Sequence, residues 1–130
     1  MTRTTARFTP AAIGSVLALV ASACAREPAA EPTERVEIDA FSYDYRPASF
    51  RVSPGTIRFV VSNTEPAQVH GFEVEGHGME EEIERIDPGS TDSLDVAFEE
   101  PGEYEIYCPV EDHAGRGMVA RLTVEEAATP

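Results

Sequence analysis

The chain predicts an all-β fold, a sandwich or barrel, on two observations. From Glu34 onward, apolar and polar residues alternate in short runs, the period of a half-buried strand. Those runs are cut at intervals by Ser53-Pro54-Gly55, Asp87-Pro88-Gly89 and Glu100-Pro101-Gly102, which are turn sequences. The full chain has 130 residues, enough for one domain. A unit of roughly 90 residues of this kind buries a modest core. There is no Trp. Phe41, Phe50, Phe59, Phe72, Phe98, Tyr104 and Tyr107 therefore provide much of the packing volume.

About seven strands follow in order. Residues 35–41 alternate well, and residues 48–52 form a second run closed by the first Pro-Gly turn. Residues 56–62 form a third, with Ile57, Phe59 and Val61 on one face. Residues 63–68 are polar and include Pro66, which marks a loop before a fourth strand over residues 69–75. Residues 76–86 carry Glu80-Glu81-Glu82-Ile83-Glu84, a short helical turn or a solvated strand edge. Residues 91–98 put Leu94, Val96 and Phe98 on one face, and residues 103–108 and 118–124 complete the count. Tyr43, Asp44 and Tyr45 read as loop and packing, with no catalytic partner.

The ends of the chain have a different character. Arg3 and Arg7 precede an apolar stretch over residues 11–20, shorter than the ~20 residues a membrane span needs. Ala21-Ser22-Ala23-Cys24 then reads as a bacterial lipobox, with Cys24 as the lipidated N-terminus of the exported protein. The organisation is a lipoprotein-type signal peptide over 1–23, a Pro/Ala/Glu tether over 24–33, a β-domain over 34–126 and a tail over 127–130. The location implied is the periplasm or the outer face of the cell membrane, with the lipid as the only membrane contact. A monomer is expected. With 10 basic and 24 acidic residues the formal charge is −14. This argues against nucleic acid, whose phosphates call for Lys and Arg.

The chemistry concentrates in the stretch from Cys108 to Met118, spaced Cys-x4-His-x4-Met. A thiolate, an imidazole and a thioether are soft donors, and with a second imidazole they make the donor set of blue copper. Alternation of side chains puts Tyr104, Ile106 and Cys108 on one core-facing row and Met118, Ala120, Leu122 and Val124 on another. The loop joining them carries His113 to the same end. The second histidine obeys the same rule: His70, Phe72 and Val74 share a face, and His70 opens that row just after a loop. His77, in Glu75-Gly76-His77-Gly78, has no core row to hold it. The predicted metal ligands are His70, Cys108, His113 and Met118, with one copper per chain. Each imidazole needs an outer partner on its other ring nitrogen.

Tyr107-Cys108 through Gly117-Met118-Val119, preceded by Pro101-Gly102-Glu103-Tyr104 and followed by a Leu-Thr-Val strand, resembles the cupredoxins, small blue copper proteins of the plastocyanin and auracyanin kind. The region from Asn63 to His70-Gly71-Phe72 looks like the segment carrying their first histidine. The resemblance covers residues 36–124. It implies a Greek-key β-sandwich of about seven to eight strands, type 1 copper on the four residues above, and single-electron traffic between redox proteins such as a c-type cytochrome or a membrane oxidoreductase. Two departures stand out. Gly71 occupies the place where many members have a bracing Asn, leaving Asn63 to begin the supporting loop. Glu111 and Asp112 precede an exposed His113, which predicts a more acidic, salt-dependent docking face.

Other classes fit less well. A copper-delivery protein uses open clusters of Met or His, whereas Met79 and Met118 are the methionines after the signal. A copper enzyme needs further metal centres, and three histidines leave too few ligands. A dinuclear centre of the oxidase-subunit type wants a second cysteine inside the loop, which is absent. The reading is thus a carrier and not an enzyme.

Overall fold

A computed structural model describes residues 30–129. Cys24, the signal peptide and most of the proposed tether lie outside these residues. Among the described residues nine strands form: β1 Glu34–Phe41, β2 Asp44–Arg46, β3 Ser49–Val52, β4 Gly55–Asn63, β5 His70–Gly76, β6 Met79–Ile86, β7 Thr91–Phe98, β8 Gly102–Tyr107 and β9 Val119–Val124. They make two mixed sheets, one ordered β2-β1-β4-β7 and the other β3-β9-β8-β5-β6. β1 runs parallel to β4, and β3 runs parallel to β9. The all-β expectation holds, and the ambiguous glutamate-rich run is strand β6 at the sheet edge. Among the described residues no helix is long and apolar enough to cross a membrane.

The core lies between the sheets, and strand phase builds it. Ile57, Phe59 and Val61 of β4 meet Phe72 and Val74 of β5, Tyr104 and Ile106 of β8, and Ala120, Leu122 and Val124 of β9, all buried. Phe59 is the centre of an aromatic cluster, with ring centroids 5.3 Å from Phe72, 6.0 Å from Phe50 and 6.2 Å from Phe98. Such tilted and edge-on pairs add to the area they bury. The opposite face of β5 is also covered. Glu73 is buried there and accepts a hydrogen bond from the Tyr107 hydroxyl, which holds that phenol well above its ordinary pKa.

The sequence reading missed one element. Asp44–Arg46 is a strand, not loop, and Tyr45 is fully buried core. β1 turns into β2 through Ser42 and Tyr43 alone, because Phe41 pairs directly with Asp44. Both turn residues have positive φ, 50° and 58°. Such two-residue hairpins usually announce themselves with Asn-Gly or a similar pair. Here Ser-Tyr supplies no such signal, and the Glu65 carboxylate secures the turn by accepting the Ser42 N–H.

Candidate metal centre

Three of the predicted ligands converge at one end of the sandwich. His70 stands at the start of β5, Cys108 directly follows β8, and His113 lies in the loop between β8 and β9. His70 Nδ1 and His113 Nδ1 are 3.3 Å apart, and Cys108 Sγ is 3.5 Å from His113 Nδ1. The three ligand atoms all lie within 4.8 Å of one another, and all three residues are buried. Met118 immediately precedes β9 and is fully buried in the core cluster that also holds Cys108. Its carbonyl accepts from Cys108 N at 3.1 Å and its N–H donates to His113 O at 3.1 Å. The backbone therefore ties all three loop residues together.

The loop between the strands is held by its own backbone. His113 N donates to Val110 O and Arg116 N to His113 O, and residues Ala114–Arg116 form a 3-10 turn. Gly117 ends it at φ 101°, a left-handed conformation that side chains disfavour. Asp112 pairs with Arg116 at 2.8 Å, which holds its carboxyl below the usual carboxylate range.

Gly71, next to the first histidine, is tied both to the loop and to β2. Gly71 N donates to Cys108 Sγ at 3.3 Å, and Gly71 O accepts from the Tyr45 hydroxyl at 2.6 Å. There is no room for a side chain at Gly71. A Cβ would come within 2.8 Å of the carbonyl oxygens of Ile83 and Glu84 and 2.9 Å of Pro109 Cδ. Close approach, not flexibility, thus accounts for the glycine at a position where an asparagine is common. The bracing comes from Asn63, as expected. Its buried side-chain amide donates to Gln68 O at 2.7 Å and Ile86 O at 2.9 Å, and its Oδ1 accepts from Glu65 N at 3.0 Å. Gly71→Ala is expected to push β5 off β6 and Pro109, lowering stability in a urea melt by roughly 2–3 kcal/mol, the scale of backbone-displacing overpacking.

Burial favours the uncharged forms of the donors. Burial, and then the neighbouring His113, push the His70 imidazole below its ordinary pKa, with Glu65 opposing, so it stays neutral. Burial pushes the Cys108 thiol up, against the pull of the Gly71 and Val110 backbone N–H groups and the Tyr45 hydroxyl. His70 Nε2 is buried with no hydrogen-bond partner. Two imidazole nitrogens and a sulfur facing one another in a buried pocket, with Met118 in the core beside Cys108, are arranged like a type 1 copper site. Soft N/S donors of this kind do not suit magnesium or calcium.

One expectation is corrected. His113 is not exposed but 4% accessible. The Tyr43 ring stands edge-on to it at 4.9 Å, and Gln68 Nε2 lies 3.5 Å from His113 Nε2 while also reaching the Tyr43 hydroxyl at 2.7 Å. The Arg116 guanidinium lies 4.9 Å above Tyr43. The burial comes from the tight β1–β2 turn, which the sequence did not announce. Beside this cover is an open depression of about 520 Å³ whose walls include Pro66, Ala67, Val110, His113, Glu65 and Glu111. Glu111 and Asp112 are exposed, as expected. His77 takes no part in the cluster. It sits in the β5–β6 turn, with Nδ1 3.1 Å from Glu100 Oε2.

Comparison with known proteins agrees with this geometry. The family model of a cupredoxin-like domain matches residues 11–120. Two curated relatives, both cytochrome c oxidase subunit 2 from Thermus thermophilus, are each 36% identical over 94 residues, or 70% of this chain. The match covers 65% of one relative and 52% of the other, so this chain spans about half to two thirds of their length. Among solved structures, reduced auracyanin from Roseiflexus castenholzii superposes with a TM-score of 0.67 at 20% identity, covering 74% of this chain and all of that one. Auracyanin A, a blue copper protein from Chloroflexus aurantiacus, superposes with a TM-score of 0.62 at 16% identity over 70% of this chain and 98% of its own. At these identities the structural likeness speaks for the fold. With most of its length matched by the family model and its strands arranged as in the auracyanins, the chain belongs to the cupredoxin-like family.

Proposed function

We propose that this protein is a one-electron carrier that holds a single type 1 copper on His70, Cys108, His113 and Met118. The observation that carries the reading is the buried convergence of His70 Nδ1, His113 Nδ1 and Cys108 Sγ at one end of a rigid sandwich. Copper in such a site supplies a Cu(I)/Cu(II) couple. The chain's part is to hold the donors still. Backbone bonds lock the loop, Gly71 and Tyr45 hold the strand behind His70, and Tyr43 and Gln68 cover most of His113. A single cysteine in the loop suits one metal and not a dinuclear pair. In this reading the Cys108 thiolate and both imidazoles are committed to the metal and buried, which favours a carrier over a catalyst.

The partners are cationic redox proteins, a c-type cytochrome or the exposed domain of a membrane oxidoreductase. Glu65 and Glu111 at the depression, and Glu80, Glu81, Glu82 and Glu84 along the exposed edge β6, give the attraction. The domain acts as a monomer, exported and held to the outer face of the membrane through lipid on Cys24 and the tether that follows. The likeness to an oxidase subunit and to a blue copper protein supports the redox part of this reading.

Stopped-flow reduction of the copper-loaded protein by a basic c-type cytochrome is the test. Complete single-electron exchange with the metal retained over repeated cycles is expected, with the rate falling at least tenfold as salt rises from low to near-molar. Metal lost on each cycle points to delivery and defeats the carrier reading, and a salt-independent rate defeats the cationic partner. Cys24→Ala should move the protein from the membrane to the soluble fraction.

A further inference from the structure

His70 is fully buried, and its two ring nitrogens face different surroundings. Nδ1 is turned to Cys108 and His113, whereas Nε2 has no hydrogen-bond partner. A neutral imidazole that lends Nδ1 to a metal carries its proton on Nε2. Metal binding therefore makes Nε2 an obligate donor, and a buried donor without an acceptor is costly. Glu65 Oε1 stands 4.0 Å away, just beyond hydrogen-bond distance, on a side chain only 14% accessible.

Glu65 is already fixed on two sides. Its N–H is held by Asn63 Oδ1, and Oε1 accepts from Ser42 N in the β1–β2 turn. A carboxylate has about four acceptor positions, so it can keep the Ser42 bond and accept from His70 as well. We propose that Glu65 is the positioning residue for His70: a small rotation of its carboxylate accepts the Nε2–H once Nδ1 is committed to the metal. The result is a carboxylate–histidine–metal relay, in which the carboxylate fixes the ring and raises its basicity. The negative charge behind the ring also favours the more highly charged metal state. The inference rests on the copper reading above.

The experiment compares wild type with Glu65→Gln and Glu65→Ala, each loaded with copper. The wild type first reports on the copper reading itself: with no intense visible band, that reading fails regardless of Glu65. Given a blue wild type, Glu65→Ala is expected to weaken Cu(II) affinity 10- to 100-fold, the range for loss of an outer partner. Glu65→Gln retains a carbonyl acceptor without the charge. It should preserve most of the affinity while raising the reduction potential. In the diamagnetic Cu(I) form, the His70 Nε2–H should give a slowly exchanging proton resonance that shifts in Glu65→Gln and is lost to exchange in Glu65→Ala. The proposal is overturned if that resonance is unmoved by both substitutions, or if Cu(II) affinity and potential in both match wild type within twofold and experimental error. Because Glu65→Gln keeps the shape that supports the Ser42 turn, its potential and resonance decide the matter even if Glu65→Ala does not fold.

Discussion

Cys108→Ser is expected to abolish the intense visible band of the copper-loaded protein, leaving a weak d–d absorption, and to remove most of the stabilisation that copper confers. The thiolate is the strongest donor in the set, and serine offers a hydroxyl with far less affinity for a soft metal. Cys108 is 1% accessible and sits among Tyr45, Gly71 and His113, so serine fits without repacking. The metal-free variant should therefore melt close to wild type. A blue Cys108→Ser protein would defeat the assignment of the thiolate. The same thiol predicts a pH dependence. Burial keeps it protonated beyond its ordinary pKa, so copper must displace a proton. Apparent affinity should fall by about tenfold per unit of pH on descending from pH 9 to pH 7, measured by competition with a chelator of known proton linkage. In the metal-free protein the sign is opposite for stability. A thiol whose pKa is raised by folding stabilises fully below the unfolded thiol pKa, and that contribution is lost as pH rises through the folded value.

Asn63→Ala is the substitution with the largest expected effect on the frame. The Asn63 amide satisfies the buried Ile86 O and the part-buried Gln68 O, and its carbonyl takes the Glu65 N–H. The side chain is 1% accessible, so alanine leaves those groups without solvent to replace the bonds. Unpartnered buried groups cost about 1–3 kcal/mol each. A total near 3 kcal/mol corresponds to a melting point lower by roughly 10–20 °C for a domain of this size. The loop from Asn63 to His70 also carries Glu65 and Gln68, so the band of copper-loaded Asn63→Ala should broaden and shift in the fraction that stays folded. A melting point within 2 °C of wild type in a thermal scan would show that the loop is held by other means.

Much of this was legible because strand phase is a local property. Cys108 and Met118 flank core-facing rows and His70 opens another, so alternation brought His70 and Cys108 to one end of the sandwich, and the connecting loop brought His113. Asn63 was expected, from the family resemblance, to begin the supporting loop, and its side chain does bond Gln68 O, Ile86 O and Glu65 N there. The outer layer was not legible. Tyr43 covers His113, and Tyr45 holds Gly71, only because Ser42 and Tyr43 make a tight left-handed turn. That turn depends on Glu65, 23 positions away in sequence. No local pattern records a contact of that kind, and the missed strand β2 and the mistaken exposure of His113 share this cause. Gly71 posed a different problem. Its lack of a side chain is set by carbonyls of β6 and by Pro109, which a single-strand reading does not see.

The Tyr43 cover has a consequence for the cost of moving an electron. Much of the barrier to charge transfer in water is the work of reorienting solvent around the charge that changes. Here His113 presents only a sliver of surface, and its neighbours are a phenol ring, a primary amide and the ring of His70. Those groups are tied to one another, Gln68 to the Tyr43 hydroxyl and both against His113, so they follow the charge less freely than water does. The thickness of this screen is one aromatic side chain. A docked partner would thus stand a single ring away from a ligand whose surroundings hardly relax, which makes short-range transfer cheap while keeping bulk water out of the process.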